Sequence, residues 1–390
     1  MRVLHLFDFY LPDTLSWVSR LLRHLPDAEV GVAAPWMLNN QFRSPGFCYH
    51  RFPFQVPGLL DANADGRHPF WQRLLTRSQR FLPTYPIWLW GQLRHRPPDV
   101  LHAHFGPTGC LYLPLAKKLD RPLVVTFYGF DYQKLLRQRP FFREKYRHLF
   151  AGAARVVAAS PLWQAELERM GCPPEKIALV RPSLDLAEFP FVRRDKPAGR
   201  LHLVQAATFT PKKGHLVALE AVRLALTDCP DLTLTLAGER YDPMVTGQVG
   251  AYIARHGLAS RVSWLGSVAH GQMPEFLATF DACIHPSQHT ADGDHEAVCV
   301  ALLEAHAVGL PVLATRHGDF PEQVLHGRTG LLVNEGDAHA LAEAIRAMYW
   351  MGNQAFQPFR QQARRHVEQE FDVLVSARRL RSIYETLLMP

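Results

Sequence analysis

The sequence predicts an α/β protein built from two doubly wound, parallel-sheet domains, and three observations support this fold class. The chain has 390 residues, more than one hydrophobic core usually serves, so two domains are expected. Short apolar runs alternate with longer helix-like segments, as in repeated βαβ units. The alternation restarts near residue 201, after a stretch with the composition of a linker.

The strand candidates of the first half are mostly continuous runs of valine, leucine and alanine. Such runs are typical of strands that are buried on both faces of a parallel sheet. The candidates are Val3–Phe7, Glu29–Ala34, Val100–His104, Leu123–Phe127, Arg155–Ala159 and Ile177–Val180.

The strand candidates of the second half repeat this pattern, and each is followed by helical material. Ligands of doubly wound sheets bind at the carboxyl ends of the strands, so polar residues just after these runs are the first candidates for a site. The runs are Leu201–Ala206, Leu232–Ala237, Val262–Leu265, Ala282–His285, Pro311–Ala314 and Gly330–Val333.

The boundary between the domains is predicted from composition. The segment Pro190–Arg200 contains two prolines, one glycine and five charged residues, which is typical of a linker. We therefore predict an N-terminal domain at residues 1–195 and a second domain at 196–360. Residues 361–388 carry an apolar stripe at steps of three and four, which predicts one amphipathic helix. We expect the segment 361–390 to cross back to the N-terminal domain.

The charge is distributed unevenly. Residues 1–195 hold 26 Lys/Arg and 16 Asp/Glu, a net charge of +10, whereas the rest of the chain carries −3. A basic half usually binds an anionic partner. Because no nucleic-acid recognition motif is found, the remaining candidates are an anionic membrane surface and a phosphate-bearing acceptor.

The location is predicted from what the sequence lacks. Its start, MRVLHLFDFY, has no apolar core or cleavage site of a secretion signal, and no run reaches the roughly 18 apolar residues of a spanning helix. The six cysteines are scattered without zinc-ligand spacing. We expect a cytoplasmic protein, with peripheral attachment to the inner face of the cytoplasmic membrane as an open alternative.

The strongest chemical motif follows the predicted strand Ala282–His285. Two glutamates, Glu296 and Glu304, are separated by seven residues. We expect a helix to begin near Val298, with Glu296 just before its start and Glu304 on the helix itself. The first backbone N–H groups of such a helix, here those of Val298 and Cys299, suit a pyrophosphate. A carboxylate can accept two hydrogen bonds from the vicinal diol of a ribose or pyranose.

This two-glutamate spacing, with the Gly309–Val312 segment GLPV after it, resembles the retaining glycosyltransferases of family four, which have the GT-B fold of two Rossmann-like domains facing a cleft. The loop Thr290–His295 is similar to that of colanic-acid and amylovoran enzymes. The resemblance implies transfer of a hexose from a nucleotide diphosphate sugar to a glycan or lipid-linked oligosaccharide in exopolysaccharide or lipopolysaccharide synthesis. A UDP-sugar is favoured, and GDP-mannose stays open.

The resemblance also assigns roles in the second domain. It implies that Lys213 pairs with the donor phosphates, that Glu296 holds hydroxyls of the transferred sugar, and that Glu304 holds the ribose. Lys213 and the helix start would offset the charge that builds on the leaving diphosphate.

Three further donor-binding candidates come from the same resemblance. The family usually has an arginine five residues before the lysine, and here that position is Thr208. Gly318 and Glu322 lie in the segment GDFPE, which matches a family pattern whose backbone meets the donor sugar or its phosphates.

In the first domain the candidate site residues follow two neighbouring strands. His102 and His104 are two residues apart and therefore point to one face. A metal would need a third ligand, and none is obvious. The resemblance implies that His104 is a catalytic candidate near the acceptor, that Tyr128 replaces the usual histidine of the donor-sugar contact, and that Asp131 helps to bind the donor. His102 is placed on the acceptor side.

Asp292 and Asp294 form a DxD pattern that could be mistaken for the metal-binding motif of another glycosyltransferase fold. They lie in a polar loop of a chain that resembles the GT-B enzymes, so we place them on the acceptor side and expect no metal and no cofactor. No GxGxxG motif occurs, which argues against a nicotinamide enzyme.

A basic aromatic segment runs from Arg67 to Arg96, with six arginines and no acidic residue. Trp88 and Trp90 lie within it. The composition is typical of a segment that lies at a membrane interface, and the alternative is a helix that packs its aromatic face into the core.

Two other functions stay open at this point. A sugar-nucleotide epimerase of similar two-domain fold would need no lipid acceptor. A catalytically inactive scaffold of a polysaccharide assembly complex would explain Thr208 in place of the usual arginine.

Overall fold

The computed structural model describes residues 1–10, 16–37, 43–51, 84–129, 131, 134–291, 293–294, 296 and 298–389. The chain folds as two compact units, one comprising Met1–Val180 with Ala377–Pro390 and the other Arg181–Ser376. We call them unit 1 and unit 2.

Unit 1 contains a seven-stranded sheet in which every pairing is parallel, in the order β5-β3-β1-β6-β7-β8-β9. The strand order reverses direction between β1 and β6, which makes this the switch point where ligands of such sheets bind. A short parallel pair, β2 and β4, lies apart from the sheet. The strands are β1 Arg2–Leu6, β2 Phe9–Tyr10, β3 Glu29–Ala34, β4 Trp36–Met37, β5 Cys48–Arg51, β6 Val100–His104, β7 Leu123–Thr126, β8 Arg155–Ala158 and β9 Ile177–Leu179.

The helices of unit 1 connect these strands, as parallel pairing requires. Strands β6 and β7 are buried along their whole length, which explains their apolar composition. The helices are α1 Ser16–Arg23, α2 Thr84–Leu93, α3 Gly106–Leu119, α4 Lys134–Gln138, α5 Phe142–Gly152 and α6 Pro161–Arg169.

Unit 2 contains a six-stranded parallel sheet in the order β12-β11-β10-β13-β14-β15. Its switch point lies between β10 and β13. The strands are β10 Leu201–Ala206, β11 Leu232–Ala237, β12 Val262–Leu265, β13 Ala282–His285, β14 Val312–Thr315 and β15 Gly330–Val333.

The helices of unit 2 bury both faces of its sheet, which gives two apolar core clusters. They are α7 His215–Ala225, α8 Pro243–Arg255, α9 Met273–Leu277, α10 Val300–Ala307, α11 Phe320–Gln323, α12 Ala338–Trp350, α13 Asn353–Glu370 and α14 Val373–Leu388, the last of which continues into unit 1.

The predicted fold class is confirmed, and a strand forms at each of the twelve predicted positions. The prediction missed β5, because both of its terminal residues, Cys48 and Arg51, are exposed at the sheet edge and give no apolar run. It also missed the two-residue strands β2 and β4.

The single C-terminal helix predicted for residues 361–388 is wrong, because two helices, α13 and α14, occupy this region. The break is made by a tertiary contact. Leu184 forms an isolated parallel bridge with Asp372, its N–H donating to the carbonyl of Phe371. The Asp372 carboxylate then accepts from the N–H of Leu374 and caps the new helix.

The two compact units divide at Val180, before the predicted boundary at 195. The reason lies in the packing of the residues in between. Leu184, Leu186 and Phe189 are buried in a core cluster of unit 2, so the chain joins unit 2 before its composition becomes that of a linker.

Candidate active site

The candidate site of unit 2 lies at the carboxyl ends of its strands. The loop after β10 carries Lys213, and the loop after β13 carries Glu296. Both loops flank the switch point between these strands, where a doubly wound sheet leaves a crevice for a ligand.

The lysine loop is fixed by its backbone. Gln205, buried at the end of β10, donates to the carbonyl oxygen of Lys213 at 2.7 Å, and the N–H of Gln288 donates to that of Lys212 at 2.9 Å. The next residue, Gly214, has a φ of 66°, and a Cβ there would lie 1.9 Å from the carbonyl oxygen of Pro286. Only glycine fits this approach, which sets the position of Lys213.

Lys213 and Glu296 form a mostly buried ion pair. Lys213 Nζ lies 2.9 Å from Glu296 Oε2, and the two side chains are 13% and 11% exposed. Lys212 Nζ lies 3.3 Å from the other carboxylate oxygen and 3.3 Å from Asp294 Oδ1. The structure thus brings three predicted site residues together and adds Lys212, which the sequence reasoning did not single out.

The opposite charges of Lys213 and Glu296 stabilise each other's ionised forms. Burial alone would raise the pKa of Glu296, but the positive charges of Lys213 and Lys212 outweigh it and lower that pKa to about 2. Burial likewise opposes the charge on Lys213, but Glu296 and its neighbours raise the lysine pKa above its usual value. Both groups are therefore ionised at neutral pH, as an anion-binding and diol-binding site requires.

Glu304 lies in the middle of α10 and is mostly buried, with its side chain 9% exposed. Its Oε1 lies 3.7 Å from Nδ1 of His270, whose Nε2 is 3.6 Å from Glu188 Oε2. Glu304 is therefore held on α10, beside His270.

The prediction that the helix begins near Val298 is corrected to Val300, with Cys299 as the N-cap residue. Gln323 explains the shift, because its side-chain oxygen accepts from the Cys299 N–H and its amide donates to the Cys299 carbonyl, both at 2.9 Å. The N–H of Cys299 is thus engaged within the protein, which contradicts its expected role as a free phosphate donor. The half-buried Val298 precedes the cap.

The other predicted donor residues of unit 2 occupy different positions. Thr208 is exposed after β10, and Gly318 is half-buried after β14. Glu322 forms an ion pair with Arg181, Oε2 to Nη2 at 2.9 Å, and is 41% exposed. Asp294 contacts Lys212, whereas Asp292 lies outside the described residues.

The candidate site of unit 1 is a buried histidine network at the ends of β1 and β6. His104 bonds through Nε2 to Nδ1 of His5 at 3.0 Å and through Nδ1 to the hydroxyl of Tyr128 at 2.5 Å. His102 bonds to Thr126 at 2.7 Å and to the hydroxyl of Tyr384 at 2.5 Å. The two predicted histidines stack on each other, as their spacing indicated.

His5 is the third histidine that the sequence reasoning did not find. It pairs across the parallel strands with His102, and suitable ligand atoms of His5, His102 and His104 lie within 4.8 Å of one another. Both nitrogens of His102 and of His104 already have hydrogen-bond partners. Burial lowers the pKa of His102 to about 3 and those of the other two well below their usual value. The cluster is therefore a neutral hydrogen-bonded network.

Tyr128 and Asp131 differ in their burial and in their hydrogen-bond partners. Tyr128 is half-buried and bonds to His104. Asp131 is fully buried, and its Oδ2 accepts from the N–H groups of Gly106 at 3.3 Å and Tyr128 at 3.1 Å. Burial raises the pKa of Asp131 to about 7, although these two bonds oppose the shift.

The basic aromatic segment Arg67–Arg96 is described only from residue 84 onward. In α2, Ile87 is 64% exposed, and Trp88 and Trp90 are half-buried. The ammonium of Lys118 lies over the Trp90 ring, 3.7 Å from the ring centroid. Across the described ranges no helix combines the length and the apolar character needed to cross a bilayer.

Models of known protein families match regions in both units. Residues 17–188 match a model described as Glycosyltransferase Family 4, and residues 200–350 match one described as Glycosyl transferases group 1. The first matched region contains His102, His104 and Tyr128 of the histidine network, and the second contains Lys213 and Glu296.

Similar proteins include a putative colanic acid biosynthesis glycosyltransferase, WcaL of Escherichia coli, which is 33% identical over 74% of this chain and 71% of its own length. The amylovoran biosynthesis glycosyltransferase AmsK of Erwinia amylovora is 35% identical over 74% of this chain and 70% of its own. Among solved structures, Anabaena Alr3699/HepE in complex with UDP has a TM-score of 0.75 at 20% identity, covering 99% of this chain and 100% of that one. The fold and the relatives agree, and the chain belongs to family four of the glycosyltransferases, with the GT-B fold.

Proposed function

We propose that this glycosyltransferase moves a hexose from a UDP-sugar to a hydroxyl of a glycan or lipid-linked oligosaccharide in exopolysaccharide biosynthesis, with retention of the anomeric configuration. The observation that carries the proposal is the buried ion pair of Lys213 and Glu296 at the switch point of unit 2. The names of the relatives WcaL and AmsK support the pathway class, and the HepE complexes with UDP and UDP-glucose support the donor class.

In the proposed reaction the bond between the anomeric carbon and the diphosphate breaks, and a bond to the acceptor oxygen forms on the same face. The acceptor proton passes to an oxygen of the leaving diphosphate, so no side-chain nucleophile is needed. Lys213 would stabilise the charge that develops on the diphosphate. The lysine ammonium has three N–H donors, so two of them can bind the diphosphate while the third stays bonded to Glu296.

Glu296 and Glu304 divide the recognition of the donor in this proposal. Glu296 is ionised, because its pKa is held at about 2, and would accept hydrogen bonds from hydroxyls of the transferred sugar. Glu304 would accept those of the ribose. His104 in unit 1 is neutral, since burial lowers its pKa. Both of its nitrogens are bonded within the protein, to His5 and Tyr128, so a contact with the acceptor would require His104 to exchange one of these bonds.

We infer phosphate contacts that differ from those predicted from the sequence. Because the Cys299 N–H is bonded to Gln323, the backbone N–H groups that would bind the phosphates are those in the first turn of α10, beginning at Val300. Lys212 is a second cation near Glu296, and we infer that it takes over part of the charge that an arginine at position 208 would supply. This would make the departure at Thr208 compatible with activity.

One assay separates this proposal from its alternatives. Purified protein is screened with UDP- and GDP-sugars by thermal shift, since ligands stabilise by mass action, and the best donor is then incubated with a polyprenyl-diphosphate-linked acceptor in EDTA. Release of nucleoside diphosphate that depends on the acceptor supports a metal-independent transferase. Conversion of the donor without acceptor would indicate an epimerase, and binding without any turnover would indicate a scaffold. Restoration of activity only by Mg²⁺ or Mn²⁺ would contradict metal independence.

A further inference from the structure

The carboxylate of Glu335, just after β15, ties together the loops that follow three neighbouring strands. It accepts hydrogen bonds from the backbone N–H of His289 at 2.8 Å and from His289 Nδ1 at 2.9 Å. Its Oε1 also lies 2.7 Å from Nδ1 of His317. His289 follows β13 and His317 follows β14.

The second ring nitrogen of His317 extends this hydrogen-bond network to Glu296. The backbone N–H of Glu296 donates to His317 Nε2 at 2.8 Å. A backbone amide can only donate, so Nε2 carries no proton. The single proton of the neutral ring is therefore on Nδ1, where it donates to Glu335. Both hydrogen bonds require the same tautomer.

The protonation states agree with this arrangement. His317 is fully buried, and burial lowers its pKa although Glu335 opposes the shift. Burial would raise the pKa of Glu335, but hydrogen bonds from His289 and His317 outweigh it and lower that pKa. A neutral ring and an ionised carboxylate are thus the expected states at neutral pH.

We propose that Glu335 and His317 form a positioning relay that fixes the backbone of Glu296, and through it the Glu296 carboxylate against Lys213. His317 is a positioning residue that acts through Glu296, so the inference rests on the proposed function of that glutamate. A ligating or catalytic histidine is commonly oriented by such a carboxylate partner; here the ring orients a backbone amide.

A shared metal ion is the competing interpretation of the same side chains. Ligand atoms of His289, His317 and Glu335 lie within 4.8 Å of one another. A metal on His317 Nδ1, however, would shift the ring proton to Nε2, where it would face the N–H of Glu296. Two donors would then oppose each other at 2.8 Å, which favours the relay.

The relay is tested by two substitutions of one residue. In His317→Gln the side-chain oxygen can still accept from the Glu296 N–H, whereas His317→Ala removes the acceptor of this partly buried N–H. We expect His317→Ala to lower kcat by about tenfold or more, with little change in donor KM, and His317→Gln to recover most of the loss. The control His339→Gln alters an exposed histidine of α12 and should behave as wild type. Equal losses in both His317 variants would overturn the relay, as would wild-type kcat in His317→Ala.

The pH profile gives a second readout. The titratable groups that face His317 are Glu335, His289 and Glu296. Protonated His317 carries an N–H at Nε2 and cannot accept from Glu296. Because burial lowers the pKa of His317 below the ordinary histidine value, kcat of the wild type should fall on the acid side of that value, as His317 gains its proton. The His317→Gln variant should lack this decrease of kcat at acid pH. The same decrease in the variant and in the wild type would contradict the relay.

A third readout does not depend on activity. Long-range ¹⁵N–¹H spectra of the full labelled chain, with the His317 signal assigned by its loss in His317→Gln, should show a protonated Nδ1 and an unprotonated Nε2. The opposite tautomer, or stoichiometric Zn²⁺ binding that His289→Ala abolishes, would overturn the relay. An inactive wild type that nevertheless shows the expected tautomer would refute the proposed function and leave the relay standing.

Discussion

At the scale of single residues, the site of unit 2 depends on two opposite charges that are taken out of water together. Breaking a buried pair by removing one partner leaves an uncompensated charge and usually costs about 3–5 kcal/mol. Here Lys212 lies 3.3 Å from the same carboxylate and would still offset the charge of Glu296. The loss of Lys213 should therefore affect chemistry more than folding.

Lys213→Ala is predicted to reduce kcat/KM by about 10²- to 10³-fold, because it removes a cation that stabilises charge on the leaving diphosphate. Steady-state kinetics and thermal unfolding measured on the same preparation check this. Lys212→Ala serves as a graded comparison and should show a smaller kinetic loss. Turnover like wild type in Lys213→Ala would refute the phosphate assignment.

The buried histidines of unit 1 predict how stability depends on pH. His5, His102 and His104 have pKa values below the ordinary 6.5 because of burial. Above pH 6.5 both folded and unfolded forms are neutral, so stability is complete. As the pH falls below 6.5 the unfolded chain gains protons that the folded form does not, and each histidine removes up to about 1.4 kcal/mol per pH unit. The midpoint of thermal unfolding should therefore fall as the pH is lowered from 7 to 5, and a constant midpoint would contradict the neutral network.

At the scale of elements, the apolar runs of the sequence predicted the strands because a strand buried on both faces must be apolar. The parts that could not be predicted depend on contacts from distant residues. The bridge of Leu184 to Asp372 splits the C-terminal helix, and the side chain of Gln323 delays the start of α10. His5 joined the histidine network only through the pairing of β1 with β6, which a single sequence does not reveal.

The sequence predicted those residues of the candidate site that lie in recognisable motifs. Glu296 and Glu304 were found by their spacing, and Lys213 by its position in the loop after a predicted strand, together with the family resemblance. Lys212 and Glu335 were missed, since a charged residue in a loop is usually solvated and gives no separate pattern. Their importance appears only in the distances to Glu296 and His317.

The lysine loop offers a prediction for a whole element. Gly214→Ala would place a Cβ 1.9 Å from the Pro286 carbonyl oxygen at a positive φ, so the loop must move and carry Lys213 with it. We expect lower thermal stability together with weaker binding of UDP in calorimetry. The control Gly247→Ala lies in α8 with nothing within 4 Å of the new Cβ and should be neutral or stabilising. Unchanged stability and affinity in Gly214→Ala would contradict this account of the loop.

At the scale of the whole molecule, the asymmetric charge predicts attachment to an anionic membrane surface through the basic N-terminal half. Residues 1–195 carry a net charge of +10 and the remainder −3. Each Lys or Arg near such a surface contributes about 1 kcal/mol, and the attraction decays over about 8 Å. Exposed Arg143 and Lys145 on α5, together with exposed Ile87 on α2, are the described residues that we expect to take part.

Liposome co-sedimentation tests this attachment. Binding should require anionic lipid and decrease with salt, and the double variant Arg143→Glu, Lys145→Glu should weaken it. Arg255→Glu, an exposed charge reversal in unit 2, is the matched control and should leave binding unchanged. Equal binding to neutral liposomes, or none to either kind, would remove the membrane from the account and leave the basic half to a soluble anionic acceptor.

Calorimetric titration of UDP into wild type and Glu304→Ala tests most directly whether unit 2 binds a nucleoside diphosphate through Glu304 on α10. Loss of charge-assisted hydrogen bonds to the ribose, about 1.5–3 kcal/mol each, predicts affinity at least about tenfold weaker in the variant. The control Glu343→Ala removes an exposed glutamate of α12 and should bind as wild type does. Affinity that is the same in Glu304→Ala and wild type, or a wild type that binds neither UDP nor GDP, would contradict the account.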